Sequence, residues 1–539
     1  DFLRGRSIFI TGATGFLGKV LIEKLLASCS DINNVYILLR TKGTVQASKR
    51  LTELLESRVF DRIRHREPKL LQKVRAIRGD VTFDELAISN EDLNTLKNDV
   101  SVIIHSAATI RFDEPLKRAI RLNVTATKRV LELAYKLPYL CSFVHVSTAY
   151  CNNIKTDIQE IVYQEPLSAA RLIELSEVMS DDMLESLSGH LFRDRPSSYH
   201  YTKAMAENLV REHCNKLPIA IVRPSIITAS FKDPFPGWVD NYNGPSGYLV
   251  VAGKGILRTM LVDGNKICDM IPVDIVANTI IASAWFVANT FNHLPIHTTT
   301  NDKDAANSHR DQILKKYQQL QNNDGQTYSW ADPDQMQPFV VNCTSGQLNP
   351  ITWNEVRDLS HPYLVKYPSV EMFRYPGPIF VSNKLAHKIL VAIEHDLPTY
   401  AIDLLFKVLG HHPMLGPIYQ KVHRTSKALE HFTTNEWIYR NSNFVLLNRE
   451  LSSEDKKLYP LDVKSINWAS YMEDYVLGVR KYLLREDPGT IKSAKFKLDL
   501  LYYATQMAKL TAISTSAFCF YYVLKASPVR RLLNAKPHS

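Results

Sequence analysis

Three glycines at intervals of three constrain this chain more than any other feature. Ser7-Ile8-Phe9-Ile10 reads as a short buried strand and runs directly into Thr11-Gly12-Ala13-Thr14-Gly15-Phe16-Leu17-Gly18. Val20, Leu21, Leu25 and Leu26 then share one helical face. Gly12, Gly15 and Gly18 therefore form a G-x-x-G-x-x-G turn between a strand and a helix. Glycines there allow a tight turn and a close backbone approach to a pyrophosphate. The helix N-terminus adds unpaired N–H groups and a favourable dipole. A lone triplet says little; one set strand–turn–helix at the start of an α/β pattern points to a bound dinucleotide.

That pattern continues. Short apolar runs recur at residues 35–39, 76–77, 102–104, 143–146 and 219–222, with helical stretches between them, as at 123–135 and 199–213. Strands alternating with helices predict a doubly wound parallel sheet of Rossmann type. At 539 residues the chain exceeds one compact core. Residues 1–288 are read as the dinucleotide-binding domain and 289–338 as an inserted polar segment rich in Asn, Asp, Gln and Lys. Residues 339–372 return to the first domain through a strand at 339–342. Residues 373–485 form a mainly helical C-terminal domain, with breaks at 376–378, 410–413 and 416–417.

Residues 498–525 read as a hydrophobic C-terminal helix. Residues 510–524 carry no charge, include Phe518, Phe520, Tyr521 and Tyr522, and precede Lys525, Arg530, Arg531 and Lys536. About 20 apolar residues span a bilayer, so the run is short; extending it back to Leu498 takes in Lys509, costly at a membrane centre unless it snorkels. Attachment to a membrane is expected; an amphipathic helix buried against the protein is the alternative. Residues 1–20 do not read as a signal peptide, because the apolar stretch is too short. The final residues are not a Ser-Lys-Leu address.

The net charge of +10 suits an anionic partner. No stripe of Lys and Arg interleaved with aromatics argues for nucleic acid, so a polyanionic cofactor or a membrane surface is expected instead. The cysteines at 29, 141, 151, 214, 268, 343 and 519 are scattered and form no C-x-x-C pair. They read as reduced thiols, with no disulfide framework and no metal site. The adjacent His411 and His412 have no carboxylate spaced to make one. Asn123 and Asn342 head glycosylation sequons that are expected to be unmodified.

The end of the second strand chooses the nucleotide. An acidic residue there would bind a free ribose 2′-hydroxyl. This chain has Arg40, then Lys42 and Arg50, an environment that suits a 2′-phosphate and so NADPH. The chemistry is expected at Tyr199 and Lys203, four apart and so on one helical face. A tyrosine with a pKa near 10 is a poor acid–base group at neutral pH; lowering it by about 3 units takes roughly 4 kcal/mol. A nearby ammonium and a nicotinamide cation could supply this. Val146-Ser147-Thr148-Ala149-Tyr150 ends a predicted strand, where parallel sheets present their chemistry. Thr148 is favoured to hold the substrate oxygen, with Ser147 in support. Tyr201 is the rival to Tyr199 but faces elsewhere.

Thr11–Gly18, His105-Ser106-Ala107-Ala108-Thr109, Asn123–Thr127, Ser147–Tyr150, Tyr199–Lys203 and Arg223-Pro224-Ser225 together resemble the extended short-chain dehydrogenase/reductase family. Within it the chain is similar to eukaryotic fatty acyl-CoA reductases. Ile110-Arg111-Phe112, Pro234-Phe235-Pro236-Gly237-Trp238, Asn243–Gly247, Gly253–Arg258 and Phe432-Thr433-Thr434-Asn435-Glu436-Trp437 carry that likeness across nearly the whole chain. The resemblance implies NADPH, a long-chain acyl-CoA substrate and a fatty alcohol product formed through a hemithioacetal and an aldehyde. It implies Tyr199 as proton donor, tuned by Lys203. It further implies a cofactor lining of Thr14, Phe16, Leu17, Asp80, Val81, Ala107, Ala108, Thr109, Asn123, Pro224, Ser225 and Ile226 beside the glycines. A tail-anchored enzyme with its catalytic domain in the cytosol follows, on endoplasmic reticulum, peroxisome or lipid droplet.

Rival readings are an aldehyde-forming reductase or sterol-type dehydrogenase on the same fold, and a non-catalytic lipid-binding protein. Acyl transfer is suggested by His190 and Asp194, which match His-x-x-x-Asp but lack the following glycine.

Overall fold

The computed structural model describes residues 2–41, 46–290, 337–410, 412 and 415–526. Seven parallel strands form one sheet: β1 Ser7–Thr11, β2 Val35–Leu39, β3 Val74–Arg78, β4 Val100–His105, β5 Ser142–Val146, β6 Ile219–Pro224 and β7 Phe339–Cys343. Their spatial order is β7-β6-β5-β4-β1-β2-β3. The chain therefore starts in the middle, winds one way through β2 and β3, and returns to build the other half from β4. The switch lies between β1 and β4, where Thr11 is level with His105. Ligands of such sheets sit at that crevice, outside the carboxyl ends of the strands.

Both faces are covered, which is why the strands read as continuous apolar runs. Alternate residues point to opposite faces. Ile8, Ile10, Ile104 and Val144 pack beneath α1 (Phe16–Ser28); Phe9, Ile103 and Phe143 pack against α2 (Ala126–Tyr135) and α3 (Ser198–Arg211). The long helix α4 (Val273–Thr290) joins α1 on the first face. Among the described residues it is the one helix long and apolar enough to cross a membrane, yet it is 89% buried within the protein, so it is a core helix.

The polar insertion lies outside the described residues apart from its two ends. Beyond it β7 pairs with β6, and helices follow: α5 (Trp353–Lys366), α6 (Lys384–Val391), α7 (Leu397–Val408), α8 (Leu415–Thr434), α9 (Ser442–Glu450), α10 (Trp468–Gly478) and α11 (Ile491–Ala526). Apart from a small cluster of Met372, Ala494 and Leu498, most buried apolar side chains described in this region join the core of the sheet. One apolar cluster runs from Ile8 through Phe444 and Tyr471 to Leu483. Polar ties reinforce it: Asn443 Nδ2 donates to Val340 O at 2.7 Å, and Tyr471 Oη to Ala229 O at 2.7 Å. Gly416 and Pro417 were expected to break a helix but lie in the first turn of α8. Proline costs little there, because the first N–H groups of a helix have no intrahelical partner.

Candidate active site

The glycine turn fits because side chains are absent from it. Gly12 adopts φ +77°, and a Cβ there would stand 2.7 Å from Ala107 N and from Ser106 C. A Cβ on Gly18 would stand 2.4 Å from Gly12 O. Gly15 is exposed at the N-cap of α1, and no side chain caps the first turn. The leading N–H groups of a 13-residue helix thus face a cradle free of side chains, a fit for a pyrophosphate. Thr14 and Phe16 are half-buried along it. The Leu17 side chain packs in the core, so what it offers the cradle is its backbone.

A buried relay holds the floor of the crevice. Thr127 Oγ1 donates to Asn123 O at 2.6 Å, so His105 Nε2 donates to Thr127 at 3.1 Å. His105 Nδ1 then accepts from Thr11 Oγ1 at 2.7 Å, and Thr11 accepts from Ala107 N at 3.2 Å. Burial pushes His105 down to about 3, which keeps it neutral for this role. Ala107, Ala108 and Thr109 line the turn after β4. Asn123 does not face outward as a cofactor ligand would. It is 2% exposed; its Oδ1 accepts from Thr109 N at 2.9 Å and its Nδ2 donates to Thr202 Oγ1 at 2.9 Å. It staples that turn to α3 instead.

At the nucleotide end, Arg40 is exposed at the end of β2 and Arg50 Nη1 donates to Arg40 O at 2.6 Å. Lys42 lies outside the described residues. Asp80 follows β3, where its Oδ1 accepts from Thr82 N at 2.9 Å and Thr82 Oγ1 at 2.8 Å. Val81 beside it packs against the core. Pro224 ends β6, Ser225 N donates to Cys343 O at 3.1 Å, and Ile226 is half-buried just beyond.

The candidate reaction centre joins two elements. Thr148 ends β5's connection as N-cap of a short turn, and the Tyr199 hydroxyl from the first turn of α3 lies near its side chain. Burial holds the Tyr199 phenol above the usual tyrosine value, with Thr148 opposing. Lys203 does share the helical face, but its Nζ donates to Val146 O at 2.7 Å. The ammonium is thus committed to Val146 and does not by itself lower the tyrosine; the lowering expected from the sequence joins it to a nicotinamide cation. Burial pushes Lys203 itself down to about 8, opposed by Glu207. Ser147 faces the other way, toward Glu207, which also accepts from Cys151 Sγ at 3.3 Å and pairs with the buried Arg223 at 2.6 Å. Ser147 is thus a positioning residue.

Sequence reasoning missed the aromatic wall around Tyr199. Phe112 stacks on it at 5.7 Å between ring centroids, and Phe432 of α8 packs on Phe112 at 5.6 Å and His200 at 5.0 Å. Phe112 and Phe432 stood in the motifs that carried the resemblance, without any chemistry to mark them. The helical C-terminal region therefore closes over the reaction centre of the sheet.

Other candidates fall away. Tyr201 is 2% exposed and packs beside Phe192 in the opposite core cluster. His190 and Asp194 are exposed around a left-handed Arg193, apart from any buried site. Asn123 and Asn342 are buried, closed to glycosylation in the folded chain. All seven cysteines are free, and burial pushes Cys151 and Cys343 up to about 12. Among the described residues no cluster could hold a metal; His411 lies outside them.

Two family models described as male sterility protein match, an NAD-binding one over residues 10–280 and a second over 394–486. Fatty acyl-CoA reductase 1 of Xenopus laevis is 40% identical over 93% of this chain and 89% of its own length. Fatty acyl-CoA reductase 1 and 2 of Homo sapiens are 37% and 36% identical over the same shares. Among solved structures, the terminal R domain of the myxalamid PKS-NRPS pathway aligns with a TM-score of 0.51 at 16% identity, covering 88% of this chain and 90% of its own. A reductase domain of a non-ribosomal peptide synthetase from Mycobacterium tuberculosis aligns at 0.52 and 16%, covering 89% and 92%. These two likenesses establish the shared fold. The cofactor class is a nicotinamide dinucleotide, and the chain belongs to the fatty acyl-CoA reductase family.

Proposed function

We propose that the protein reduces long-chain fatty acyl-CoA to fatty alcohol with NADPH. The observation that carries this reading is the Thr148–Tyr199 hydroxyl pair at the carboxyl end of β5, beside the crevice of the glycine turn. Bound NADPH supplies the hydride. Thr148 and Tyr199 hold the thioester oxygen, and Tyr199 donates its proton as charge develops there. A buried phenol held above its usual value arrives protonated, as a reductase requires. The hemithioacetal releases CoA to leave an aldehyde, and the same two hydroxyls serve a second round on it. No thiolate takes part, in keeping with thiols raised by burial. Arg40 and Arg50 suit a 2′-phosphate and favour NADPH over NADH.

The membrane is the second part of the proposal. Phe496, Leu500, Tyr503, Leu510, Phe518 and Phe520 all lie exposed along the 36-residue α11, which we read as the attachment, with the catalytic body in the cytosol at endoplasmic reticulum, peroxisome or lipid droplet. Purified protein supplied with acyl-CoA tests the reaction: two NADPH oxidised per CoA released, and activity on added aldehyde, are expected. One NADPH per CoA with aldehyde accumulating would leave only the first reduction. No oxidation with any acyl-CoA would favour the non-catalytic lipid-binding alternative.

A further inference from the structure

We propose that α6 and α7 form a second lipid-docking surface, lying flat on an anionic membrane independently of α11. Leu385, Ile389, Ile393, Leu397, Leu404 and Val408 are each more than half exposed, and Tyr400 is 75% exposed. Their spacing of four, with Tyr400 interposed, keeps them on one face of a nearly continuous helical stretch. Single exposed leucines are ordinary; a row along 25 residues is not.

The opposite face is committed to the protein. His395 Nε2 accepts from Arg258 N at 3.0 Å, and its Nδ1 meets His423 Nε2 of α8 at 3.0 Å. Asp403 accepts from Leu415 N at 3.1 Å and Gly416 N at 2.9 Å. A helix with one face packed and the other apolar cannot span a bilayer but suits its interface.

Charge selects the occupant. Every exposed charged side chain of α6 and α7 is a lysine: Lys384, Lys388 and Lys407. Glu394 pairs with Arg258 at 3.4 Å, Asp403 accepts from the first turn of α8 and Asp396 is half-buried, while Lys384 pairs with Glu430 at 2.8 Å, which leaves Lys388 and Lys407 beside the apolar face. Lysines flanking an apolar face match anionic headgroups. A second copy fits less well, since an isologous pairing would bring lysine rows together.

The surface is also continuous with the other exposed apolar helix. Arg374 Nη1 donates to Glu394 O at 2.9 Å, and the next residue, Tyr375, lies 5.2 Å from the Tyr502 ring of α11. Inward, α8 packs on His395 through Tyr419 and carries Phe432 to the Tyr199 wall. At 1.5 Å per residue those two positions are about 20 Å apart, so one helix links the proposed lipid surface to the reaction centre.

The test uses the full chain with Cys519→Ser, carrying an environment-sensitive fluorophore at Leu404→Cys or, as control, at Lys69→Cys, an exposed lysine before β3. Protein without the added cysteine gives the background. Vesicles of phosphatidylcholine with phosphatidylserine carry a spin-labelled lipid quencher. A blue shift and loss of more than half the emission is expected at 404 and not at 69, with several-fold weaker quenching on phosphatidylcholine alone. A 404 probe as water-exposed as the 69 probe, while the protein floats with vesicles, would overturn the proposal and leave α11 as the contact. A blue shift without vesicles that grows with protein concentration would overturn it in favour of a second copy. Equal quenching on neutral vesicles would overturn the anionic preference.

Discussion

Lys203 donates an N–H of its ammonium to the Val146 carbonyl oxygen, 2.7 Å away, while the hydroxyl of Tyr199 lies near Thr148. The two residues share a helical face but serve different partners. The lysine ties α3 to the end of β5, and the tyrosine stands with Thr148 as the proposed two-hydroxyl grip on a substrate oxygen.

Tyr199→Phe removes the proton and leaves the ring against Phe112. General-acid assistance contributes about 10²–10⁴-fold, so turnover should fall by at least that range while NADPH binding persists. Tyr201→Phe, on the far side of α3, should change turnover little. Comparable losses in the two variants would assign the wrong tyrosine.

Lys203 makes the site sensitive to alkaline pH. Its pKa falls from 10.5 unfolded to about 8 folded. Below pH 8 both states are protonated and the burial penalty is present in full; between 8 and 10.5 the unfolded state holds more protons, so stability from this group rises with pH. The difference in unfolding free energy between the parent and Lys203→Met should shift toward the parent by about 3 kcal/mol from pH 7 to pH 10. A pH-independent difference, measured by denaturant titration, would mean an ordinary lysine.

Arg40→Asp places an acid where a 2′-phosphate is expected. NADPH should bind much more weakly, with little loss for NADH, measured as the two dissociation constants. Similar dissociation constants for the two cofactors in the unmodified protein would remove the basis for this assignment.

Gly18→Ala puts a methyl group 2.4 Å from Gly12 O. Backbone cannot yield as a flexible side chain can, so the turn should open. Dinucleotide binding should fall at least tenfold, read by protein fluorescence quenching, with the melting temperature lowered. Retained affinity would show that the cradle relaxes freely.

Truncation separates the tail from the body. Ala494 and Leu498 are buried against Met372, so the start of α11 belongs to the protein. Deleting 504–539 should keep the melting temperature and weaken membrane association several-fold without abolishing it; complete release to the soluble fraction would show that α11 alone carries the attachment. Continued membrane association would be carried by α6 and α7.

Six strands of the sheet were legible in the sequence because they are buried on both faces and so read as apolar runs, whereas the edge strand β3, with Arg75 and Arg78 exposed, showed only Ala76-Ile77. The glycine turn was legible because its geometry tolerates no side chain at Gly12 and Gly18. Tyr199, Lys203 and Thr148 could be picked out because spacing on a helix and position at a strand end are local properties. What those groups bond to is not local. Only the packing of α3 against β5 turned Lys203 to Val146 and buried the Tyr199 phenol. Only the fold of α8 brought Phe432, 233 positions along the chain from Tyr199, to its aromatic wall. Asn123 and Leu17 look available in the sequence and are spent inside the protein, because burial and hydrogen-bond partners are decided by neighbours that sequence distance does not encode.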